Sequence, residues 1–225
     1  MHEGHTFTSE EAKSEVVFDY YNALLGMHFR RSHWIDLERL NLPRLDLQAL
    51  AEPFSEAEVT RIVLESPLDR APGPDGFIDR FYRATWAIKD DICNAFNCLW
   101  QQDWRSFYLL NDASMVLLRK NDTSNGLRDY QPISLIHSFG KLVSKGLALR
   151  LAPFMGSLVR PNQTAFIKGR QIHDNFRSVQ LYCRWLHVKH HSCILLKVDI
   201  AKAFDSVAWP FLLEVLEHMG FPQSW

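Results

Sequence analysis

Apolar residues recur at helical spacing in several segments of the chain. After Ser9, apolar and aromatic residues follow one another every three or four positions as far as Leu25, which predicts a helix that Ser9 caps and Gly26 ends. A second helix is predicted to begin after Ser55, because Glu58 stands at the capping-box position. The same spacing predicts further helices over 77–86, 88–100, 139–155, 175–188 and 209–219.

Shorter apolar runs predict strands. Residues 113–120 and 130–136 flank a polar turn over 121–126, which is typical of a β-hairpin, and Pro132 favours an edge or entry position. A further apolar run from Cys193 leads to Asp199 and predicts a strand that ends in a carboxylate. Helices and strands in this order predict a helix-rich α+β protein.

Two segments are predicted to be ordered but irregular. Residues 70–76 read Arg-Ala-Pro-Gly-Pro-Asp-Gly, which predicts a fixed turn, and a rigid surface turn is a sufficient explanation for it. Residues 161–171 are predicted to be a loop in which Gln163, Lys168 and Arg170 supply polar contacts and Gly169 permits close backbone approach.

The predicted helix over 175–188 carries an apolar face expected to point inward, and the four cysteines are expected to be free and mostly buried. That inward face consists of Phe176, Val179, Cys183 and Leu186. Cysteines and histidines lie close together over 183–193, but their spacing matches no common zinc-site pattern.

Composition places the chain among ordinary globular proteins. Of 225 residues, 47% are hydrophobic and 23% charged. No run of about 18 apolar residues indicates a membrane span, and the first residues lack the pattern of a signal peptide. We therefore expect a nuclear or cytoplasmic protein that does not enter a membrane.

Charge is distributed unevenly although the net charge is only −1. Residues 113–192 contain 12 Lys and Arg against 3 Asp and Glu, whereas residues 1–112 contain 11 against 19. A basic block beside a carboxylate suits a polyanionic partner such as nucleic acid, and a solvated basic face remains the alternative. Likewise, Arg119, Lys120 and Arg128 near the hairpin tip either reach a triphosphate or protect a sheet edge.

Asp199 is the candidate for metal chemistry. A carboxylate at the end of a strand can bind a divalent cation, and phosphoryl transfer with two metals needs at least one further carboxylate from another strand. Asp205, six residues later, is better placed to support the bend and the next helix. A lone Asp after a strand is also common for reasons of turn geometry, so both interpretations stay open.

Four motifs in order carry a resemblance to a known family. They are Arg-Ala-Pro-Gly-Pro-Asp-Gly-Phe (70–77), Tyr-Gln-Pro-Ile-Ser-Leu (130–135), Gln-Thr-Ala-Phe-Ile-Lys-Gly-Arg-Gln-Ile-His-Asp-Asn (163–175) and Lys-Val-Asp-Ile-Ala-Lys-Ala-Phe-Asp-Ser-Val (197–207). In this order the motifs resemble the reverse transcriptase of non-LTR (LINE-type) retrotransposons, particularly the type abundant in plants.

The resemblance implies a right-hand polymerase fold, with fingers to about residue 190 and the start of the palm over 191–225. Residues 1–50 would form a helical region upstream of it. The implied activity is RNA-directed DNA synthesis from deoxynucleoside triphosphates on an RNA template and a DNA primer, with Mg²⁺ or Mn²⁺ as cofactor and no obligate protein partner.

The resemblance also implies roles for individual residues. Asp199 would bind metal as the catalytic carboxylate, and Ile200 would lend its backbone carbonyl to the metal. The nucleotide would be contacted by Lys120, Arg170, Ala201 and Phe204, the last of which would exclude a ribose 2′-hydroxyl. Gln163 and Gly169 would shape the template and nucleotide site, and Asp205 would support it.

Two departures from the family pattern qualify these expectations. Gln131 stands where the family usually has Arg, and it cannot replace that positive charge. The family's second acidic motif is expected beyond Trp225, so we expect a truncated reverse transcriptase that is inactive alone. The alternatives are a nucleic-acid-binding remnant without catalysis and a product with no molecular function.

Overall fold

A computed structural model of the chain describes residues 7–26, 33–101, 107–123, 126–200, 203–204 and 207–225. Within them, eight α-helices accompany one two-stranded antiparallel sheet, so the prediction of a helix-rich α+β protein is confirmed. The helices are α1 (Glu10–Leu25), α2 (Glu56–Leu64), α3 (Asp79–Ala84), α4 (Lys89–Trp100), α5 (Ser138–Leu151), α6 (Met155–Leu158), α7 (Ile172–Val188) and α8 (Trp209–His218); the strands are β1 (Ala113–Arg119) and β2 (Tyr130–Ile136); short 3₁₀ helices cover Gln48–Ala51, Trp86–Ile88 and Leu127–Asp129.

Two helix starts follow the predicted capping. At α1 the Ser9 side chain accepts a hydrogen bond from the Ala12 amide at 3.3 Å. At α2 the Glu58 amide donates to the Ser55 hydroxyl at 3.3 Å, while the Ser55 amide donates to the Glu58 carboxylate at 2.9 Å. These reciprocal bonds form the predicted capping box, which satisfies two backbone donors at the helix start.

The predicted hairpin is present with a regular register. Ala113 pairs with Ile136 at one end and Arg119 pairs with Tyr130 at the other, so all seven residues of each strand are matched. Pro132 lies opposite Leu117 inside the ladder, and no third strand joins the sheet among the described residues. Pro132 therefore stands on an edge strand, where its missing amide hydrogen costs little.

The chain divides into two compact units. The first comprises residues 1–29 and 53–148. Its core is formed by apolar side chains of α2, α3, α4 and α5 together with Phe54. Phe54 packs edge-on against Phe96 at 5.3 Å, and Gly146 of α5 brings its backbone against Ile62 and Phe54, where a Cβ atom would lie 2.8 Å and 2.9 Å from them.

The second unit comprises residues 30–52 and 149–225. Its core joins Leu47, Leu50, Leu158 and Phe221, and α8 packs Leu216 against that cluster. Beyond α8, Gly220 adopts φ +96°, and a Cβ atom there would lie only 2.0 Å from the Leu45 carbonyl oxygen. Glycine is required at that position for both reasons. The predicted boundaries at residue 50 and near residue 190 stay predictions.

Two predictions about the second unit are wrong. Helix α7 has no buried residue, and Phe176, Val179 and Cys183 of its predicted inward face are exposed. Residues 193–200 do not form a strand, and Ile194 is 96% exposed. Both predictions fail for the same physical reason. The described part of the second unit contains no strand and no helix that covers these apolar side chains.

The four cysteines form no disulfide, as predicted, but the expectation that they are mostly buried is wrong. Cys98, Cys183 and Cys193 are exposed, and Cys93 is partly buried. None of the described helices combines the length and the apolar composition that a membrane span needs.

Candidate functional site

The hairpin presents three cations at one end. Lys120 follows directly after β1, and its amide donates to the Asp129 carbonyl at 2.9 Å, which extends the ladder by one bond. Its ammonium donates to the Arg128 carbonyl at 2.7 Å. Arg119, Lys120 and Arg128 are all exposed, and together with Asp122 and Asp129 they leave this end of the hairpin with a small net positive charge that can attract a polyanion. The residues at 124–125 of the predicted turn lie outside the described residues.

Arg170 organises the loop that precedes α7. One terminal nitrogen of its guanidinium donates to the carbonyls of Arg160 and Gln163, both at 2.7 Å. The other donates to the carbonyls of Gly156 and Val159 at 3.1 Å and 2.8 Å. A planar guanidinium can bridge several carbonyls in this way because its donors are fixed in a fork. Both terminal nitrogens are thus engaged by the loop itself, and the predicted nucleotide contact of Arg170 stays a prediction.

The same loop holds two residues at positive φ. Gly169 has φ +85°, and no atom lies within 4 Å of the position that a Cβ atom would take. The positive φ, and not a close backbone contact, therefore favours glycine here. Phe166 has φ +65° and is 95% exposed. A non-glycine residue in this region is uncommon. Arg170 donates to the carbonyl of Gln163 and so joins two predicted site residues, whereas Phe166 is a feature that no spacing signal indicated.

Asp199 lies in the exposed segment that leads towards α8. Its side chain makes no hydrogen bond or ion pair with the described part of the chain, and its carboxylate faces solvent. Ile200 and Phe204 are 70% and 87% exposed. Ala201 and Asp205, the other two predicted site residues of this segment, lie outside the described residues.

The predicted site residues fall in both units. Lys120 belongs to the first unit, and Gln163, Gly169, Arg170 and Asp199 belong to the second. Across the described part of the chain, no group of three or more His, Cys, Asp or Glu side chains is placed to hold a metal ion. Asp199 therefore offers one oxygen ligand set for a hard cation and needs further ligands to complete a site.

Asp75 is a residue that sequence reasoning missed. Its carboxylate accepts hydrogen bonds from the Ser138 amide at 3.0 Å and the Ser138 hydroxyl at 2.9 Å. Burial by itself would raise the pKa of Asp75, but these bonds, a bond from the Phe77 amide and the nearby His137 together hold the pKa below its ordinary value. No local signal indicated the contact, because its two partners are 63 residues apart.

Residues 118–225 match the family described as reverse transcriptase (RNA-dependent DNA polymerase), which is a little under half of the chain. The chain is 30% identical over 181 residues to a Pol polyprotein from the type-1 retrotransposable element R1 of Bradysia coprophila, which covers 76% of this chain and 18% of that protein. It is 28% identical over 158 residues to the Pol polyprotein from the type-2 element R2DM of Drosophila melanogaster, covering 70% and 14%. It is 25% identical over 177 residues to an uncharacterized 149 kDa protein of transposon TX1 from Xenopus laevis, covering 77% and 13%. The chain thus spans less than a fifth of the length of these relatives.

Proposed function

This chain belongs to the reverse transcriptase family of non-LTR retrotransposons, and we propose that it supplies part of the site that joins deoxynucleotides on an RNA template. The observation that carries the proposal is the family match over 118–225. That range contains the cationic hairpin end, the loop organised by Arg170 and the exposed Asp199. A nucleic-acid-binding remnant without catalysis is not favoured, because the matched family is a polymerase family.

In this proposal Asp199 is a metal ligand. Its carboxylate is exposed and engages no described group, so its oxygens are available to a hard cation. The backbone carbonyl of Ile200 would be a second oxygen donor beside it. Mg²⁺ or Mn²⁺, when bound, would stabilise negative charge on the reacting phosphate.

Lys120, with Arg119 and Arg128 beside it, would attract the triphosphate of the incoming nucleotide. The Lys120 ammonium has three donors and uses one of them on the Arg128 carbonyl, so two stay available for phosphate oxygens. Phe204 presents an exposed ring in the segment after Asp199, which suits a contact that selects the sugar. Ala201 and Asp205 keep their proposed nucleotide-binding and supporting roles.

Within the loop, Arg170 would act by fixing the backbone on which Gln163 and Gly169 lie. The four carbonyl oxygens that it binds come from residues 156–163, so one side chain sets the course of the whole segment. A right-hand polymerase fold, with fingers before about residue 190 and the palm after it, is part of the same proposal. So are the RNA template and the DNA primer.

Primer extension tests the assignment of Asp199. The 225-residue chain is incubated with an RNA template, a DNA primer, deoxynucleoside triphosphates and Mg²⁺ or Mn²⁺. If incorporation occurs, Asp199→Asn should abolish it, whereas Asp90→Asn, which removes an exposed carboxylate in the first turn of α4, should leave it intact. Incorporation that survives Asp199→Asn would overturn the assignment.

The same assay tests the expectation that this chain does not polymerise alone. If no incorporation occurs, Mn²⁺ binding provides the second measurement. It is measured by electron paramagnetic resonance with a deoxynucleoside triphosphate present. Binding by the chain and by Asp90→Asn, with loss in Asp199→Asn, is expected. Equal binding by all three would refute the proposed metal-ligand role of Asp199.

A further inference from the structure

The turn over 70–76 is fastened to the junction between β2 and α5. Asp75 accepts both the amide and the hydroxyl hydrogen of Ser138, the first residue of α5. The first amides of a helix have no partner within the helix. Asp75 therefore caps the start of α5 from a distant part of the chain. Ser138 is fully buried and the Asp75 side chain is 16% exposed, which limits the access of water to this contact.

Two further contacts hold the same junction. The Lys141 ammonium donates to the Ala71 carbonyl at 2.7 Å. Gly73 lies so close to the last residue of β2 that a Cβ atom would be 2.3 Å from the Ile136 carbonyl oxygen. The turn therefore contacts the end of β2 with one residue and the first turn of α5 with two others, on both sides of the single connecting residue, His137.

The junction lies at the opposite end of the hairpin from Lys120. Ile136 pairs with Ala113 at the base, and Tyr130 pairs with Arg119 beside Lys120. Six residue steps separate the two ends, which is about 20 Å along a strand. A rotation of about 10° at the base would displace the far end by roughly 3.5 Å, which exceeds the length of a hydrogen bond.

We propose that Asp75 is a positioning residue that fixes the direction of the β1–β2 hairpin and thereby the place of Lys120 in the first unit. The contribution to nucleotide binding rests on the function proposed above for Lys120. The mechanical part stands on the contacts alone. Asp75, Lys141 and Gly73 fix the end of the hairpin at which Ile136 pairs with Ala113. A change in direction at that end would move the opposite end, where Lys120 lies.

The two oxygens of Asp75 have different partners, which makes Asp75→Asn informative. Oδ1 accepts a hydrogen bond from the Phe77 amide at 3.3 Å within the turn, and Oδ2 accepts the two hydrogen bonds from Ser138. Asparagine has one acceptor oxygen, so it keeps either the Phe77 bond or the two Ser138 bonds, and in both orientations the negative charge that strengthens these bonds is lost. Asp69→Asn is the matched control, because Asp69 lies just before the same turn and makes only an exposed pair with Arg80 at 2.6 Å.

Hydrogen exchange of the 225-residue chain, followed by mass spectrometry, tests the mechanical part without any ligand. Asp75→Asn should raise the exchange rates of β1, β2 and the first turn of α5 by about tenfold or more, since a hydrogen bond to a charged group contributes that much. Helices α2 and α4 should keep their protection, and Asp69→Asn should match the unchanged chain. Ser138→Ala removes the hydroxyl that contacts both Asp75 and the buried Tyr82 hydroxyl, at 2.9 Å and 3.1 Å, so it should raise exchange in the same segments and also in α3.

Unchanged exchange of β1 and β2 in Asp75→Asn would overturn the proposal. Loss of protection throughout the first unit, α2 and α4 included, in both Asp75→Asn and Ser138→Ala would also overturn it, since Asp75 would then be a general stabilising residue. Both outcomes are independent of any activity.

A second measurement connects the contact to Lys120. Acetylation of Lys120 is followed by mass spectrometry while the Mg²⁺ complex of a deoxynucleoside triphosphate is titrated in. We expect the nucleotide to protect Lys120 from acetylation. Asp75→Asn should raise the nucleotide concentration for half-protection about fivefold or more, because the hydrogen bonds between a displaced Lys120 and the phosphates would have poorer geometry. Absence of protection in the unchanged chain would refute the proposed function of Lys120 and leave the exchange result standing. Equal half-protection in Asp75→Asn and the unchanged chain would refute the positioning role.

Discussion

Arg170→Lys separates two roles that a cation in this loop can have. If the residue serves as a positive charge for phosphate, lysine should replace it well. If it braces the backbone, lysine should fail, because an ammonium is a point charge that cannot reproduce the fork geometry that bridges four carbonyls. The structure supports bracing, so we expect Arg170→Lys to resemble Arg170→Ala.

The size of the effect follows from the four bonds. Each joins a guanidinium nitrogen to a neutral carbonyl in a partly exposed place, where a net contribution of about 0.5–1 kcal/mol is reasonable. Removing all four should therefore cost roughly 2–4 kcal/mol locally. Lysine, able to keep one or two of the bonds, should recover at most about half of that.

Limited proteolysis at 156–171 and hydrogen exchange of the same segment measure the loss where it occurs. Lys168→Ala is the control, because Lys168 is an exposed cation in the same loop. Arg170→Lys and Arg170→Ala should both open the segment, and Lys168→Ala should not. Protection in Arg170→Lys equal to that of the unchanged chain would refute the bracing role and return Arg170 to a charge-based role.

Three further predictions concern stability. Ser55→Ala should weaken the start of α2 by about 1 kcal/mol, measured as faster hydrogen exchange of its first turn, because the capping box is lost. Gly220→Ala should cost about 2 kcal/mol or more in urea unfolding, since it combines a positive φ with a Cβ only 2.0 Å from a carbonyl oxygen, whereas Gly156→Ala, with open space around it, should be neutral or stabilising. The pKa of Asp75 is lowered in the folded state, so its stabilisation is present above the unfolded-state pKa and is lost as pH falls through the folded one. The difference in unfolding free energy between Asp75→Asn and the unchanged chain should shrink as pH falls below about 4; a constant difference down to about pH 2 would contradict this.

Features specified by neighbouring residues were predictable from the sequence. The capping box at Ser55 and Glu58 needs only four residues, and the hairpin of β1 and β2 needs only its two apolar runs and the turn between them. The order of four motifs was enough to indicate the family, because a family pattern does not depend on which residues touch.

Features that depend on distant partners were not predictable in the same way. The turn over 70–76 has a sequence that explains a fixed turn completely, so nothing in it signals that Asp75 also serves Ser138. Arg170 carried a signal for polar contact, but whether a guanidinium meets phosphate or carbonyl oxygens is decided by where the chain has brought those carbonyls. In both cases the sequence singled out the segment that contains the residue, but it did not indicate which group the residue contacts.

The segment over 193–200 shows why the chemistry of Asp199 and its local structure rest on different information. An apolar run with β-branched residues signals burial between other elements, and a strand exists only where neighbours pair its backbone groups. The described part of the second unit supplies no such neighbour, and Ile194 and Leu196 are 96% and 80% exposed. Asp199 is thus a candidate metal ligand because of the motif in which it lies and because its carboxylate engages no described group. Its replacement by asparagine should therefore leave the stability of this chain unchanged, and any effect on metal or nucleotide binding can be attributed to the carboxylate itself.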